Sequence, residues 1–159
     1  MEKLSILIVG AGLAGTSLAQ RLLEKKQQVT LIDSGQNNST AIAAGIINPM
    51  VFRRMNKSWR VDDFLQEAIA YYKKLEDDLK IKLIRPLFLR RLFSSLQEKE
   101  FWENRQFEKE YSAYLEILTT EDLNYSLAKN EFGSGRVKQA YWIEAKTYYT
   151  AQINYFERV

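Results

Sequence analysis

LSILIVGAGLAGTSLAQRLLEKKQQVTLIDS, residues 4–34, is the stretch that decides the fold. Leu4-Ser5-Ile6-Leu7-Ile8-Val9 is a short apolar run rich in β-branched residues, the pattern of a buried strand. Gly10-Ala11-Gly12-Leu13-Ala14-Gly15 follows and holds three of the seven glycines in the chain. From Thr16 to Gln27, Leu18, Ala19, Leu22 and Leu23 recur at helical spacing. A second apolar run, Val29-Thr30-Leu31-Ile32, then ends on Asp33. The whole is G-x-G-x-x-G in its full context of strand, turn, helix, strand and terminal acid.

Each part has a physical role. Gly10 allows the tight turn out of the first strand, Gly12 lets a pyrophosphate approach bare backbone, and Gly15 lets helix and strand pack closely. The helix start offers unpaired N–H groups and the positive end of a dipole to the phosphates. Asp33 stands eighteen residues beyond Gly15, near the usual spacing of about 20, where it accepts hydrogen bonds from an adenosine ribose. An acid there disfavours the 2′-phosphate of NADP. This stretch alone leaves FAD and NAD both open.

The remaining composition narrows the chemistry. With 159 residues the chain has the length of about one domain. It is 46% hydrophobic and 13% aromatic, enough for a core. It has no cysteine and no histidine. That excludes disulfides, thiolate metal sites, cysteine nucleophiles and covalent flavin links through either residue type, so no metal site is expected. The 23 basic and 20 acidic residues give a net charge of +3. They are interleaved, as on a solvated surface, and no nucleic-acid partner is expected. The densest basic group is Arg53, Arg54, Lys57 and Arg60 around Trp59. No run approaches the roughly 18 apolar residues of a membrane span, and the N-terminal run is too short for a signal peptide. The expected location is cytoplasmic.

After a polar turn from Gly35 to Ser39, the chain continues Ser39-Thr40-Ala41-Ile42-Ala43-Ala44-Gly45-Ile46-Ile47-Asn48-Pro49. Two hydroxyl residues suited to capping open a small-residue helix that Gly45 and Pro49 stop. Together with the opening fingerprint, Ser39-Thr40 and Ala43-Ala44-Gly45-Ile46 resemble the FAD-dependent oxidoreductases of the D-amino-acid oxidase type. That group includes glycine oxidase, sarcosine oxidase-like enzymes and the oxidase half of a bifunctional tRNA-modifying enzyme. The resemblance extends through Asn48-Pro49 and, more weakly, from Gly135 to Phe156. It implies that the hydroxyl pair and the Ala-Gly segment contact the pyrophosphate and flavin ends of FAD. The cofactor residues expected on this basis are Gly10, Gly12, Ala14, Gly15, Asp33, Ser34, Ser39, Thr40, Ala44 and Gly45. No catalytic residue is named.

Farther along, Phe64, Ala68, Tyr72, Leu75 and Leu79 make an apolar helical stripe widened by Leu65 and Ile69, with Ser58 or Asp62 as cap. Ile81 to Phe93 reads as a strand at an edge or broken at Pro86. The resemblance puts the start of a substrate domain there and would let Arg85, Arg90 or Arg91 face a substrate carboxylate. Ser95 to Glu98 is a capping box opening a helix to about Phe107, with Phe101 and Trp102 buried. Tyr111 to Leu118 adds packing, and Thr119 or Thr120 begins a short helix. Gly133-Ser134-Gly135 reads as a hairpin loop, Arg136 to Ile143 as a strand, and Ala145 to Phe156 as a helix with Tyr149, Ile153 and Phe156 on one face. The resemblance implies that the strand borders the active site, where Tyr141 or Trp142 would line it.

The expected architecture is α/β: a Rossmann-type βαβ unit, an incomplete doubly wound sheet, with part of an α+β substrate domain. Residues 1–80 form the FAD-binding portion, 81–143 the partial substrate domain, and 144–159 a helix returning to the first. No second βαβ unit follows Asp33, so the chain reads as the truncated N-terminal part of a longer enzyme, with apolar surface left open to self-association. The expected activity is oxidation of a C–N bond in a small amine or amino acid by hydride transfer to flavin. The competing readings are an NAD-dependent Rossmann dehydrogenase and a non-catalytic dinucleotide-binding fragment.

Overall fold

In a computed structural model, residues 4–36, 38–118 and 128–158 are described. The chain opens with strand β1 (Ser5–Val9), helix α1 (Leu13–Glu24) and strand β2 (Gln28–Ile32). β1 and β2 pair in parallel, Ser5 opposite Gln28 through Val9 opposite Ile32. This is the βαβ unit the glycine fingerprint predicts. Its helix starts three residues early, because Gly12 is the N-cap and the glycine turn runs straight into it. Ala19 is fully buried, whereas Leu18 of the expected stripe faces outward.

The small-residue stretch departs from expectation. Only Ser39–Ile42 is helical, as α2. Asn38 rather than Ser39 or Thr40 caps it, its Oδ1 accepting from Ala41 N at 3.0 Å. Ala43 is already extended (ψ 145°), and the chain turns at Gly45 into strand β3 (Ile46–Ile47). Gly45 forces this: its φ is +70°, and a Cβ on it would stand 2.0 Å from the Ile143 carbonyl oxygen. A helix continued through Gly45 would lose that close approach.

A small hairpin of β4 (Met50–Val51) and β5 (Asn56–Lys57) follows, then helix α3 (Val61–Leu79). Arg60, in the left-handed region, occupies the cap position instead of Ser58 or Asp62. The buried stripe of α3 is Val61, Leu65, Ile69, Tyr72 and Leu75. Phe64, expected within it, is exposed and packs edge-on against Trp59.

The expected strand from Ile81 to Phe93 is broken just after Pro86, giving β6 (Ile84–Pro86) and β7 (Leu89–Leu92). The two serve different sheets. β6 is an edge of the antiparallel sheet β3–β10–β6, where β10 is Tyr141–Ile143. β7 is an edge of the antiparallel sheet β7–β9–β8, where β8 is Leu115–Ile117 and β9 is Ser134–Val137. Gly135 therefore lies within a strand and not in a hairpin loop. Its bareness accommodates Trp102, whose ring a Cβ would meet at 2.2 Å. The expected strand from Arg136 onward is interrupted at Gln139, which takes φ +56°.

Helix α4 (Leu96–Arg105) carries the capping box with its second half displaced by one residue. Ser95 Oγ accepts from Glu98 N at 3.1 Å, while the Glu98 carboxylate reaches Ser94 N at 2.7 Å. Trp102 is buried, but Phe101 is 52% exposed, since the sheet meets only one side of this mostly charged helix. Helix α5 (Ala145–Phe156) closes the described chain. The short helix expected at Thr119 or Thr120 lies outside the described residues.

Two apolar cores result. One joins the start of α3 to α4 and the β7–β9–β8 sheet, around Leu65, Phe93, Trp102 and Val137. The other joins the end of α3 to α5 through Tyr72, Leu75, Leu83, Ile143 and Tyr148. Among the described residues, β1 and β2 are the only parallel pair, and no helix is long and apolar enough to cross a membrane.

Candidate functional site

The site forms where β1 turns into α1. Gly10 takes φ +103°, open to glycine alone at little cost. Gly15 has an ordinary φ but no room, since a Cβ would stand 1.8 Å from Gly10 O. Gly12 is extended, and its missing side chain leaves space for Thr40, whose Oγ1 would be 3.2 Å from a Cβ there.

The backbone donors of this turn are divided between two side chains and the helix start. Ala11 N donates to Asp33 Oδ2 at 2.7 Å, and Leu13 N to Thr40 Oγ1 at 2.9 Å. Thr16 N is the first to find an intrahelical acceptor, Gly12 O at 3.0 Å. Ala14 and Gly15 lie before that point and carry N–H groups with no acceptor inside the helix. These two donors, with the positive dipole end, are what the turn offers an anion.

A cleft of about 960 Å³ opens over this turn. Gly10, Gly12, Ala14, Gly15, Ser39, Thr40, Ala44 and Gly45 all line it, as does Ile46 beyond them. Eight of the ten residues expected from the sequence thus share one surface. Asp33 lies on the other side of the turn, in a second cleft of about 380 Å³ with Ala11, Gly35 and the α5 residues Tyr149, Ile153 and Phe156. Ser34 lines neither cleft. Its hydroxyl accepts from Gln36 N at 3.3 Å, a local turn bond. No charged side chain lines the larger cleft among the described residues, so anion binding there rests on backbone. No cluster of three or more metal-ligating side chains occurs among the described residues.

The far wall of the cleft was not foreseen. It is built by Tyr72 from α3, Ile143 from β10, and Ala145 and Tyr148 from α5. The fully buried residues of α5 are Tyr148 and Gln152, while Tyr149, Ile153 and Phe156 share the face that lines the smaller cleft. The reason is the partner surface: α1 presents Thr16 and Gln20, and polar side chains answer them. Tyr148 OH lies 2.8 Å from Thr16 Oγ1, and Gln152 Nε2 donates to Gln20 Oε1 at 3.4 Å. Burial, with the neighbouring Tyr148 second, pushes the Tyr72 phenol up to about 12. Tyr72 therefore stays protonated near neutrality and is no general base.

The arginines expected near a substrate are placed elsewhere. Arg85 stacks over Trp142 at 4.1 Å, Arg90 lies over Phe88, and Arg91 pairs with Glu98 at 2.8 Å. None lines the cleft, and neither do Tyr141 and Trp142.

Asp33 has a measurable signature. The N–H of Ala11, and next that of Gly35, hold its carboxyl below the ordinary 3.8. A depressed folded-state pKa adds stability above the unfolded value, and this is lost as pH falls through the folded one. Denaturation midpoints of wild type and Asp33→Asn should therefore differ at neutral pH and converge in acid below 3.8. A gap that stays constant across that range would contradict the assignment.

A parallel βαβ unit with a glycine turn, a terminal acid and a cleft over the helix start defines a dinucleotide-binding protein. The FAD dependent oxidoreductase family matches residues 5–158 of the chain, and the chain belongs to that family. The solved structure of glycine oxidase from Geobacillus kaustophilus superposes with a TM-score of 0.75 at 17% identity, over 96% of this chain and 44% of that one. L-Amino acid deaminase from Proteus myxofaciens, solved with anthranilate, gives 0.71 at 12% identity, over 98% of this chain and 36% of that one. The uncharacterized oxidoreductase YurR of Bacillus subtilis (strain 168) is 36% identical over 77 residues, 48% of this chain and 20% of its own length. The chain thus spans less than half the length of these relatives. FAD is the cofactor of the family.

Proposed function

We propose that the chain carries the FAD-binding portion of an oxidoreductase acting on a C–N bond of a small amine or amino acid. The observation that carries this is the single cleft shared by the glycine turn and the segment from Ser39 to Gly45. The residues present fit the cofactor: the turn is bare where a side chain would obstruct it, and Ala14 and Gly15 keep two amide donors. Ala14 and Gly15 would hold the pyrophosphate, and Asp33, which still has lone pairs beyond its two backbone bonds, would accept from the ribose. Ala44, Gly45 and Ile46 would bound the flavin end, with Tyr72 and Ile143 keeping water from that wall. FAD, when bound, supplies the acceptor for a hydride from the carbon beside the amine. The glycine oxidase and the L-amino acid deaminase similar in fold support an amino-acid substrate. The proposal keeps residues 1–80, 81–143 and 144–159 as its functional division and a cytoplasmic location. Anaerobic bleaching of the FAD-loaded protein by one member of an amine and amino-acid panel tests the reaction. Binding of FAD without bleaching by any member favours a non-catalytic dinucleotide carrier.

Self-association belongs to the same reading. Parallel sheets are ordinarily covered on both faces. Here Leu7, Val9 and Ile32, on one face of β1 and β2, are 61%, 79% and 50% exposed. Light scattering should show the chain above monomer mass at micromolar concentration, with Leu7→Lys shifting it toward monomer. A wild-type monomer independent of concentration would refute this.

A further inference from the structure

Three helices meet beside the glycine turn through hydroxyl groups to which no part in binding has been given. Tyr148 of α5 is almost fully buried, and its OH lies 2.8 Å from Thr16 Oγ1, 3.1 Å from Ser17 Oγ and 3.3 Å from Tyr71 OH. Thr16 Oγ1 donates to Gly12 O at 2.9 Å, the carbonyl that also receives Thr16 N. With its proton held by the carbonyls of Gly12 and, at 3.3 Å, Leu13, Thr16 accepts from Tyr148. Tyr71 donates to Gln20 Oε1 at 3.2 Å, so its proton is turned away from Tyr148. The bonds that reach the turn run from Tyr148 to Thr16 to the carbonyl of Gly12. Gly12 is the N-cap of α1, so the chain of bonds ends on the Gly12–Leu13 peptide, from which the first turn of α1 departs with the Ala14 and Gly15 donors.

We propose that Tyr148 is a positioning residue for the dinucleotide phosphates, acting through Thr16 on the Gly12 carbonyl. This rests on the reading of the cleft as an FAD site. Three features carry it. The hydroxyl sits 132 positions along the chain from its partner, so it ties α5 to the turn across the fold. The bond is buried, where a hydroxyl without a partner is costly. The Thr16 side chain is itself fully buried and cannot find water in place of Tyr148.

The test is a binding cycle on the purified chain, with FAD and with ADP as separate probes and the denaturation midpoint measured without ligand. Tyr148→Phe keeps the ring and removes the hydroxyl. It should weaken FAD and ADP about equally, by about tenfold, the range of one buried hydrogen bond. Thr16→Val should do the same, the double variant should be no weaker than either single, and Thr16→Ser should restore binding. Amide resonances of Leu13 to Gly15 should shift in the ligand-free Tyr148→Phe protein. A Tyr148→Phe chain that binds both probes as wild type does would overturn the proposal. So would a loss confined to FAD with ADP unchanged, which would place Tyr148 against the flavin itself. Additive losses in the double variant would make the effect one of general stability and count against it. Should Tyr148→Phe not fold, the Thr16→Val and Thr16→Ser pair carries the same decision. Wild type that binds neither probe would sink the reading of the cleft first, and is recognised by that.

Discussion

Gly15→Ala should cost about 3 kcal/mol or more of folding stability and remove most FAD binding. Its Cβ would lie 1.8 Å from Gly10 O, 3.0 Å from Gly10 C and 3.4 Å from Ile8 Cγ2. The first two are backbone atoms and cannot rotate away. Gly10 is also held from the other side, its N–H donating to Ile32 O at 2.7 Å at the end of the parallel pair. Either α1 lifts off the sheet or the glycine turn opens, and both move the donors of Ala14 and Gly15. Domains are stable by roughly 5–15 kcal/mol, so the loss is a large share. A urea titration reads the stability, and flavin fluorescence quenching reads the binding. The φ of Gly15 is ordinary, so the effect is one of space alone. A variant with wild-type midpoint and affinity would refute the packing described for β1 and α1.

Trp102→Ala should be as damaging to stability and nearly silent at the cleft. The indole is fully buried, with Phe93 at 5.4 Å and Phe52 at 6.5 Å between ring centroids, and Gly135 bare beneath it. Truncations of this kind cost about 3–5 kcal/mol through lost burial and the cavity left behind. Trp102 Nε1 has no hydrogen-bond partner, so removing it also relieves a buried unpaired donor. That places the expected loss at the lower end, about 3 kcal/mol. The core it leaves is the one around Phe93 and Val137, which meets the core of Tyr72 and Tyr148 beside the cleft only through the partly buried Ile47 and Ile84. Melting should fall sharply while the FAD affinity of the folded fraction holds. Equal stability to wild type would contradict the burial of Trp102, and an affinity loss as large as that of Gly15→Ala would contradict the separation of the cores.

The contrast shows what the amino-acid pattern could carry. The glycine turn was legible because each residue there answers a local demand: a positive φ at Gly10, a contact five residues back at Gly15, an acid at the tip of the neighbouring strand. The segment from Ser39 to Gly45 was legible in membership and not in shape. Small residues mark close approach, but Gly45 bends to meet Ile143, nearly a hundred positions away, which no local rule encodes. The wall of Tyr72, Ile143 and Tyr148 left no signal at all. On α5 the most apolar face, Tyr149, Ile153 and Phe156, lines the smaller cleft, while the fully buried residues are the polar pair Tyr148 and Gln152. Hydrophobic periodicity groups the apolar residues of α5 but is silent on Tyr148 and Gln152, which are buried because α1 presents polar Thr16 and Gln20 to them. Pro86, by contrast, ends β6 opposite Tyr141 on an edge of its sheet, where a residue without an N–H is tolerated.

One titration tests the central claim most directly. The purified chain is mixed with FAD, passed over gel filtration and scanned for flavin absorbance, then challenged with ADP and with NAD. The account predicts a yellow protein peak from which excess ADP displaces FAD, with Gly15→Ala colourless under the same conditions and NAD a far weaker competitor than ADP. A colourless wild-type peak, or retention of NAD in preference to FAD, would contradict it.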